Sequence, residues 1–175
     1  METQYNNVVL VDEFDKAIGE MGKLEAHEKG VLHRAFSVFL FNQKGELLLQ
    51  QRAKEKYHGG ELWTNTCCSH PQANESVEES AKKRLQFEMG IVCEIEWVYS
   101  FIYHEEVENN LIEHEFDHVF IGHYDIAPKP NPDEVQNYKW MKIEAILADI
   151  EQHPSHYTVW FKKALPVLMG KMAQK

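Results

Sequence analysis

Cysteine is scarce, basic charge is outnumbered, and long apolar runs are missing. The chain has three cysteines, an odd count, and the adjacent Cys67 and Cys68 are poor partners for one another. A disulfide framework is therefore excluded as the source of stability, and a reduced thiol at Cys68 is allowed. Lys and Arg total 18 against 28 Asp and Glu, a formal charge of -10. Nucleic acid and anionic membrane both demand a basic surface, so neither is expected as a partner. No apolar stretch approaches the roughly 18 residues of a membrane span, and neither an internal repeat nor a low-complexity run is present. Residues 1–5 lack the basic and apolar regions of a signal peptide, which points to a cytoplasmic protein.

What is present suits one domain over residues 1–175, long enough to bury about two-thirds of its unfolded surface. Residues 6–12 and 33–42 are apolar runs that read as strands. Residues 42–45 supply a turn and 46–51 another strand, so a hairpin joins 33–42 to 46–51. Residues 53–62 are polar with two glycines and read as a loop. Ser76 and Glu79 form a capping box that starts a helix, and Gly90 ends it in the left-handed position. Within it Val77, Ala81, Leu85 and Met89 make a core stripe, while Arg84 and Glu88 share another face, the bland reading of which is a solvated ion pair. Strands over 94–103 and 113–124, separated by the polar 105–110, form a second hairpin. After Pro128, Pro130 and Pro132 come a strand over 135–141 and helices over 143–152 and 157–172. Strands around one central helix give an α+β sandwich.

Three features carry chemistry. Thr64-Asn65-Thr66-Cys67-Cys68-Ser69-His70-Pro71 sets a thiol beside an imidazole just ahead of the capped helix. Glu113 and Glu115, two apart on a strand, present two carboxylates to one face while His114 points away, and such a pair invites a cation. Any phosphate site in so acidic a chain must be a local basic cluster, for which Lys23, Arg52, Lys56 and Arg84 are the candidates.

The loop and helix resemble the Nudix box, G-x5-E-x7-R-E-U-x-E-E-x-G-U with U apolar. Glu75, Leu85, Glu88, Gly90 and Ile91 match, but Ser69 stands at the first glycine, Lys83-Arg84 replaces R-E and Phe87-Glu88 replaces E-E. Nudix hydrolases use the helix carboxylates to gather divalent metal around a diphosphate and an attacking water. A basic residue in place of a metal-binding glutamate implies phosphate binding kept and hydrolysis abandoned.

Across residues 8–160 the chain resembles the type-I isopentenyl diphosphate isomerases. The matching pieces are the T-N-x-x-C-x-H-P stretch, residues 23–27 and 33–42, Arg52, Lys56, Tyr103, Glu113-His114-Glu115 and Trp160. His27 and His33 are six apart, one fewer than the family spacing. The resemblance implies a Nudix-type fold with mixed and antiparallel sheets around a central helix, followed by C-terminal helices. It also implies metal-dependent interconversion of isopentenyl and dimethylallyl diphosphate in isoprenoid biosynthesis. Its implied metal ligands are His27, His33, His70, Glu113 and Glu115 for a divalent ion (Mn²⁺, Zn²⁺ or Mg²⁺), with Glu88 holding a second ion, Mg²⁺, on the substrate. Cys68 and Glu115 become the proton-transfer pair, Tyr103 a hydrogen-bond donor or relay, and Trp160 a π face over the developing cation. Lys23, Arg52, Lys56 and Arg84 hold the small-molecule diphosphate, and the chain works as a monomer or homodimer. Cys67 reads as a buried structural thiol and Trp63 as packing. His58, His104, His118, His123, His153 and His156 read as ordinary polar residues.

Competing readings are a Nudix hydrolase of a nucleotide or other diphosphate, a silent module in which histidines and carboxylates hold a structural metal, and a cysteine hydrolase using Cys68 and His70. The first leaves the Cys68 and His70 pair unexplained, and the last lacks a signature.

Overall fold

His33–Phe41 is buried along almost its whole length, so it must be covered on both faces and paired on both edges. A computed structural model describing residues 6–174 shows this arrangement. The segment 1–5, read above for signal-peptide character, lies outside the described residues. In chain order the strands are β1 (Asn7–Val11), β2 (Ala17–Gly22), β3 (His33–Phe41), β4 (Glu46–Arg52), β5 (Trp63–Thr64), β6 (Cys67–Ser69), β7 (Ile95–Val107), β8 (Leu111–His123) and β9 (Val135–Lys142). The helices are α1 (Lys23–Lys29), α2 (Val77–Met89), α3 (Ile143–Gln152) and α4 (Val159–Ala173). Among the described residues no helix is long and apolar enough to cross a membrane.

β3 is the spine. β8 runs parallel to it from His33↔Glu115 to Phe41↔His123, and β6 runs antiparallel along its other edge from Phe36↔Ser69 to Val38↔Cys67. Alternation then sorts the side chains. Phe36, Val38 and Leu40 join Ala81, Leu85 and Met89 of α2 in one core, while Phe39 and Phe41 join Phe161, Leu165 and Leu168 of α4 in the other. This is the expected α+β sandwich with a mixed sheet.

α2 begins and ends as anticipated. Ser76 Oγ accepts from the Glu79 N–H, Glu79 returns the bond to the Ser76 N–H, and Gly90 adopts φ 65° with its N–H on the Gln86 carbonyl. A Cβ at Gly90 would approach the Lys129 carbonyl to 2.7 Å, so the position excludes side chains for two reasons. Arg84 and Glu88 depart from a solvated pair: both are buried.

Three boundaries differ from the sequence reading. The 33–42 and 46–51 runs form no extended hairpin, because they share only Phe41↔Leu47 before diverging. Both strands are apolar on two faces, and each gains more burial from other partners, β4 from β9 and β5. The β7–β8 hairpin is longer than expected: the acidic residues before the turn alternate along the ladder, and only Glu108–Asn110 turn, with Asn109 and Asn110 at φ 62° and 58°. β2 and α1 went unassigned because Ala17–Gly22 is short and largely exposed, and α1 is only seven residues long.

Candidate active site

The histidines converge because of α1 and its cap. Lys23 and His27 lie one helical turn apart, and Gly30, at φ 68°, reverses the chain into β3. The six-residue separation therefore suffices, and the His27 and His33 rings lie 4.9 Å apart between centroids. His70, just beyond β6, brings its ring to 5.1 Å from His33 and 5.7 Å from His27. Across the parallel ladder Glu115 is the register partner of His33, and Glu113 sits two residues earlier on the same face. His114 turns away, its Nδ1 2.9 Å from the Gly30 carbonyl oxygen.

Two carboxylates organise the cluster. His33 Nε2 and His70 Nε2 lie 3.1 and 2.7 Å from Glu115 Oε2, while the Tyr103 hydroxyl donates to Oε1. His58 Nε2 and His27 Nε2 lie 2.9 and 3.4 Å from Glu113 Oε1. His27, His33, His70 and Glu115 offer ligand atoms within 4.8 Å of one another, and so do His27, His58 and Glu113. The donor set fits a divalent cation. His27 Nδ1 lies 2.7 Å from the Lys23 carbonyl and His33 Nδ1 2.9 Å from the Val31 carbonyl. A carbonyl only accepts, so both Nδ1 atoms carry a hydrogen and each ring turns its Nε2 toward a carboxylate. Acceptor facing acceptor is repulsive unless a cation or proton lies between, and His27 Nε2 is buried without a hydrogen-bond partner. Burial also pushes His70 down to about 4, against the opposing pull of Glu115, which favours the neutral ring a metal takes.

Above the carboxylates opens a cleft lined by Lys23, Arg52, Lys56 and Arg84 with Cys68 and Trp160. The four cations come from separate elements, namely α1, the end of β4, the loop after it, and α2. Burial, with repulsion from Arg52, Arg84 and Lys23, pushes Lys56 down to about 8, although Glu88 pulls the other way. Lys23 is lowered by burial and by Arg84 and Arg52. Mutual repulsion among buried cations is relieved by an anion, so the cleft is an anion cradle. Glu134, which sequence reasoning missed, ion-pairs with Lys56 and lies 3.1 Å from Arg84 Nη2. Glu88 sits at the rim with Oε2 2.6 Å from Arg84 Nε and Oε1 3.1 Å from Gln50 Nε2.

Cys68 faces the cleft from β6, on the side of the sheet that carries Ser37 and Glu115. Burial pushes its thiol up to about 12, with Arg52 opposing and Glu88, Glu115 and Asp117 adding, so it carries its proton at neutral pH. Cys67 points the other way and is fully buried in the α2 core, as expected. Trp160, buried at the start of α4, borders the cleft with the Arg52 guanidinium carbon 5.2 Å from its ring. Trp63 packs against the α4 core.

Every candidate therefore falls in one locality, with His27, His33 and Tyr103 behind the carboxylates and the rest at the cleft. Besides Glu134, two residues were missed. Asp117 continues the Glu113 and Glu115 face, fully buried, and accepts from Ser37 Oγ at 2.8 Å; the period of two would have found it. Burial and the Glu115 charge raise its carboxyl well above the usual range. His58, read above as an ordinary polar residue, is 4% exposed and lies against Glu113. It sits in an irregular loop where no periodicity marks it. By contrast His104 meets His114 edge-on, and His153 stacks on His156, outside the cleft. Glu75, the first carboxylate of the box pattern, is engaged by Ser80 and Lys83 and does not line the cleft.

A mixed sheet clasping a helix, with cations and carboxylates meeting at its end, is the architecture found, and the NUDIX domain family matches residues 31–161. A crystal structure of a Deinococcus radiodurans protein has a TM-score of 0.69 at 21% identity, covering 83% of this chain and 89% of that one, which supports the fold. The chain is 54% identical to Isopentenyl-diphosphate Delta-isomerase 2 of Photorhabdus laumondii over 90% of its own length and 89% of the relative's. It is 46% identical to Isopentenyl-diphosphate Delta-isomerase 2 of Aromatoleum aromaticum, over 91% and 85% of the two chains. The chain belongs to the isopentenyl-diphosphate Delta-isomerase family.

Proposed function

We propose that this protein interconverts isopentenyl and dimethylallyl diphosphate, the double-bond shift that supplies isoprenoid biosynthesis with its allylic unit. The observation that carries this reading is a proton-bearing thiol and a buried carboxylate sharing one cleft whose mouth is an anion cradle. The family membership and the lost helix carboxylates agree with it.

The reaction adds a proton to the terminal alkene carbon, leaves a tertiary cation at the adjacent carbon, and removes a proton from the next. Arg52, Arg84, Lys23 and Lys56 hold the diphosphate, arginine by its fork and lysine by compact charge. This anchors the short hydrocarbon beneath them. Cys68 and Glu115 then form the proton-transfer pair: one delivers a proton to the methylene and the other takes one from the carbon beyond the cation. Their resting states are opposite, since burial keeps the thiol protonated, while the His33 and His70 hydrogen bonds outweigh burial and hold Glu115 well below the usual range. Tyr103, hydrogen-bonded to Glu115, stays a phenol because burial raises it, so it can pass on or steady that proton. The Trp160 face lines the cleft and stabilises positive charge by about 2 kcal/mol or more once water is gone. His27, His33, His70, Glu113 and Glu115 hold a divalent ion, Mn²⁺, Zn²⁺ or Mg²⁺, and Glu88 a Mg²⁺ ion on the diphosphate. When bound, the first ion stabilises the Glu115 carboxylate and acidifies its protonated form.

The test is incubation with isopentenyl diphosphate and Mg²⁺ in D₂O, followed by NMR together with an assay for released phosphate. Deuterated dimethylallyl diphosphate without phosphate release is expected. Release of phosphate or pyrophosphate would instead make the protein a Nudix hydrolase.

A further inference from the structure

We propose that His58 is a positioning residue of the metal centre, which donates its Nε2 hydrogen to Glu113 and so holds that carboxylate in its ligating orientation. This rests on reading the histidine and glutamate cluster as a metal centre.

The geometry separates His58 from the ligands. His27 and His33 are each fixed by a backbone carbonyl on Nδ1, which turns Nε2 into the cluster. For His58 the close contact is made by Nε2 itself, 2.9 Å from Glu113 Oε1, the better hydrogen-bond distance of the two imidazoles on that oxygen; His27 stands at 3.4 Å. His58 stands outside the group in which His27, His33 and His70 gather on Glu115, and meets the cluster only at His27 and Glu113. It reaches the cluster through Glu113, with its ring centroid 5.6 Å from that of His27. Glu113 has an exposure of 3% and His58 of 4%, so neither finds a substitute partner in solvent.

The backbone around His58 is held on each side. The Tyr57 carbonyl accepts from Asn109 Nδ2 at 2.8 Å, the Gly59 N–H donates to Glu108, and the carbonyl of His58 itself accepts from Arg52 Nη2 at 3.1 Å. Two of these clamps come from the tip of the β7–β8 hairpin. At Gly60 a Cβ would meet the Lys54 carbonyl at 2.6 Å, so the loop closes tightly on itself. One loop thus carries Lys56 to the anion cradle and His58 to the metal cluster. The same Arg52 that borders the cradle also grips the His58 backbone.

The test compares His58→Gln with His58→Met, which fill similar space but differ in having an N–H to donate. Affinity for Mn²⁺ is measured by chelator competition on purified protein without substrate. The number of coordinated imidazoles is counted by pulsed electron paramagnetic resonance. Loss of an outer partner typically weakens a metal about 10- to 100-fold. His58→Met is expected to show that loss, His58→Gln to recover most of it, and both to keep the wild-type imidazole count. Unchanged affinity in His58→Met overturns the proposal, as does an imidazole count lowered by one, which would make His58 a ligand. Failure of the metal-centre reading is distinguishable, because then the wild-type protein itself would not bind Mn²⁺ tightly.

Discussion

Replacing Arg84 by Met should destabilise the protein at neutral pH even though Arg84 lies on a helix face that its sequence would mark as solvated. Arg84 donates to Glu88 at 2.6 Å and approaches Glu134 to 3.1 Å, and both Arg84 and Glu88 are buried. Removing one member of a buried pair typically costs about 3–5 kcal/mol, because the other charge is left without compensation. Lys56 and Gln50 remain near Glu88, which places the expected loss at the low end, about 3 kcal/mol. With a urea dependence of about 2 kcal/mol per molar, the unfolding midpoint should fall by about 1.5 M. The pH dependence has a definite sign. In the parent, burial raises the Glu88 carboxyl but Arg84, Lys56 and Gln50 outweigh it and hold it below the ordinary value of 4.5. Its ionised form therefore stabilises the fold above that value, and the contribution is lost as pH falls through the folded pKa. Without Arg84 burial gains the upper hand and the folded pKa rises, so the penalty is full at neutral pH and shrinks on acidification. The double variant Arg84→Met with Glu88→Met should return to within about 1 kcal/mol of the parent, the residue being one lost Gln50 bond, since Gln50 keeps the Thr66 carbonyl at 2.8 Å. A single-variant cost below about 1 kcal/mol, or a double variant worse than the sum of the singles, would refute the reasoning.

Cys68→Ala should lower isomerisation by about 10²- to 10⁴-fold, the usual worth of a positioned proton-transfer group, with little change in the urea midpoint. Retained turnover would remove Cys68 from the mechanism. Leu85→Ala, at a fully buried position in the α2 core, should cost about 3 kcal/mol in urea unfolding. Gly90→Ala should cost about 2 kcal/mol, combining left-handed backbone strain with the clash on the Lys129 carbonyl, and a neutral result would contradict the helix-capping geometry.

The parts of the fold legible in the sequence are those with local chemistry. The capping box at Ser76, the glycine stop at Gly90 and the two-residue period of Glu113 and Glu115 are written in short windows, and each appears as read. What stayed hidden depends on distant partners. Nothing near residues 33–51 says that β3 prefers β8 and β6 to β4, because the deciding contacts lie up to 82 positions away. For the same reason the spacing of Arg84 and Glu88 leaves a solvated pair open beside a functional one: four-residue spacing gives a shared face, but only tertiary packing decides whether water reaches it. His58 was invisible because an irregular loop has no period, and its position depends on Asn109 and Glu108 from another hairpin. The resemblance to known isomerases supplied what periodicity could not, namely that scattered histidines, cations and a cysteine belong together.

The parallel pairing of β3 with β8 makes the metal cluster an inspector of strand alignment. His33 faces Glu115 in that ladder, and His114 and Phe116 occupy the opposite side of β8. If β8 slid by one residue along β3, its inward set would become His114 and Phe116, and both carboxylates would leave the histidines. Parallel ladders must find their alignment without a tight turn to dictate it, so misaligned compact states compete with the native one during folding. On the proposed ligand set, a divalent ion would bind only the correct alignment and withdraw those chains from the competition. Refolding yield should therefore rise when the ion is present from the start.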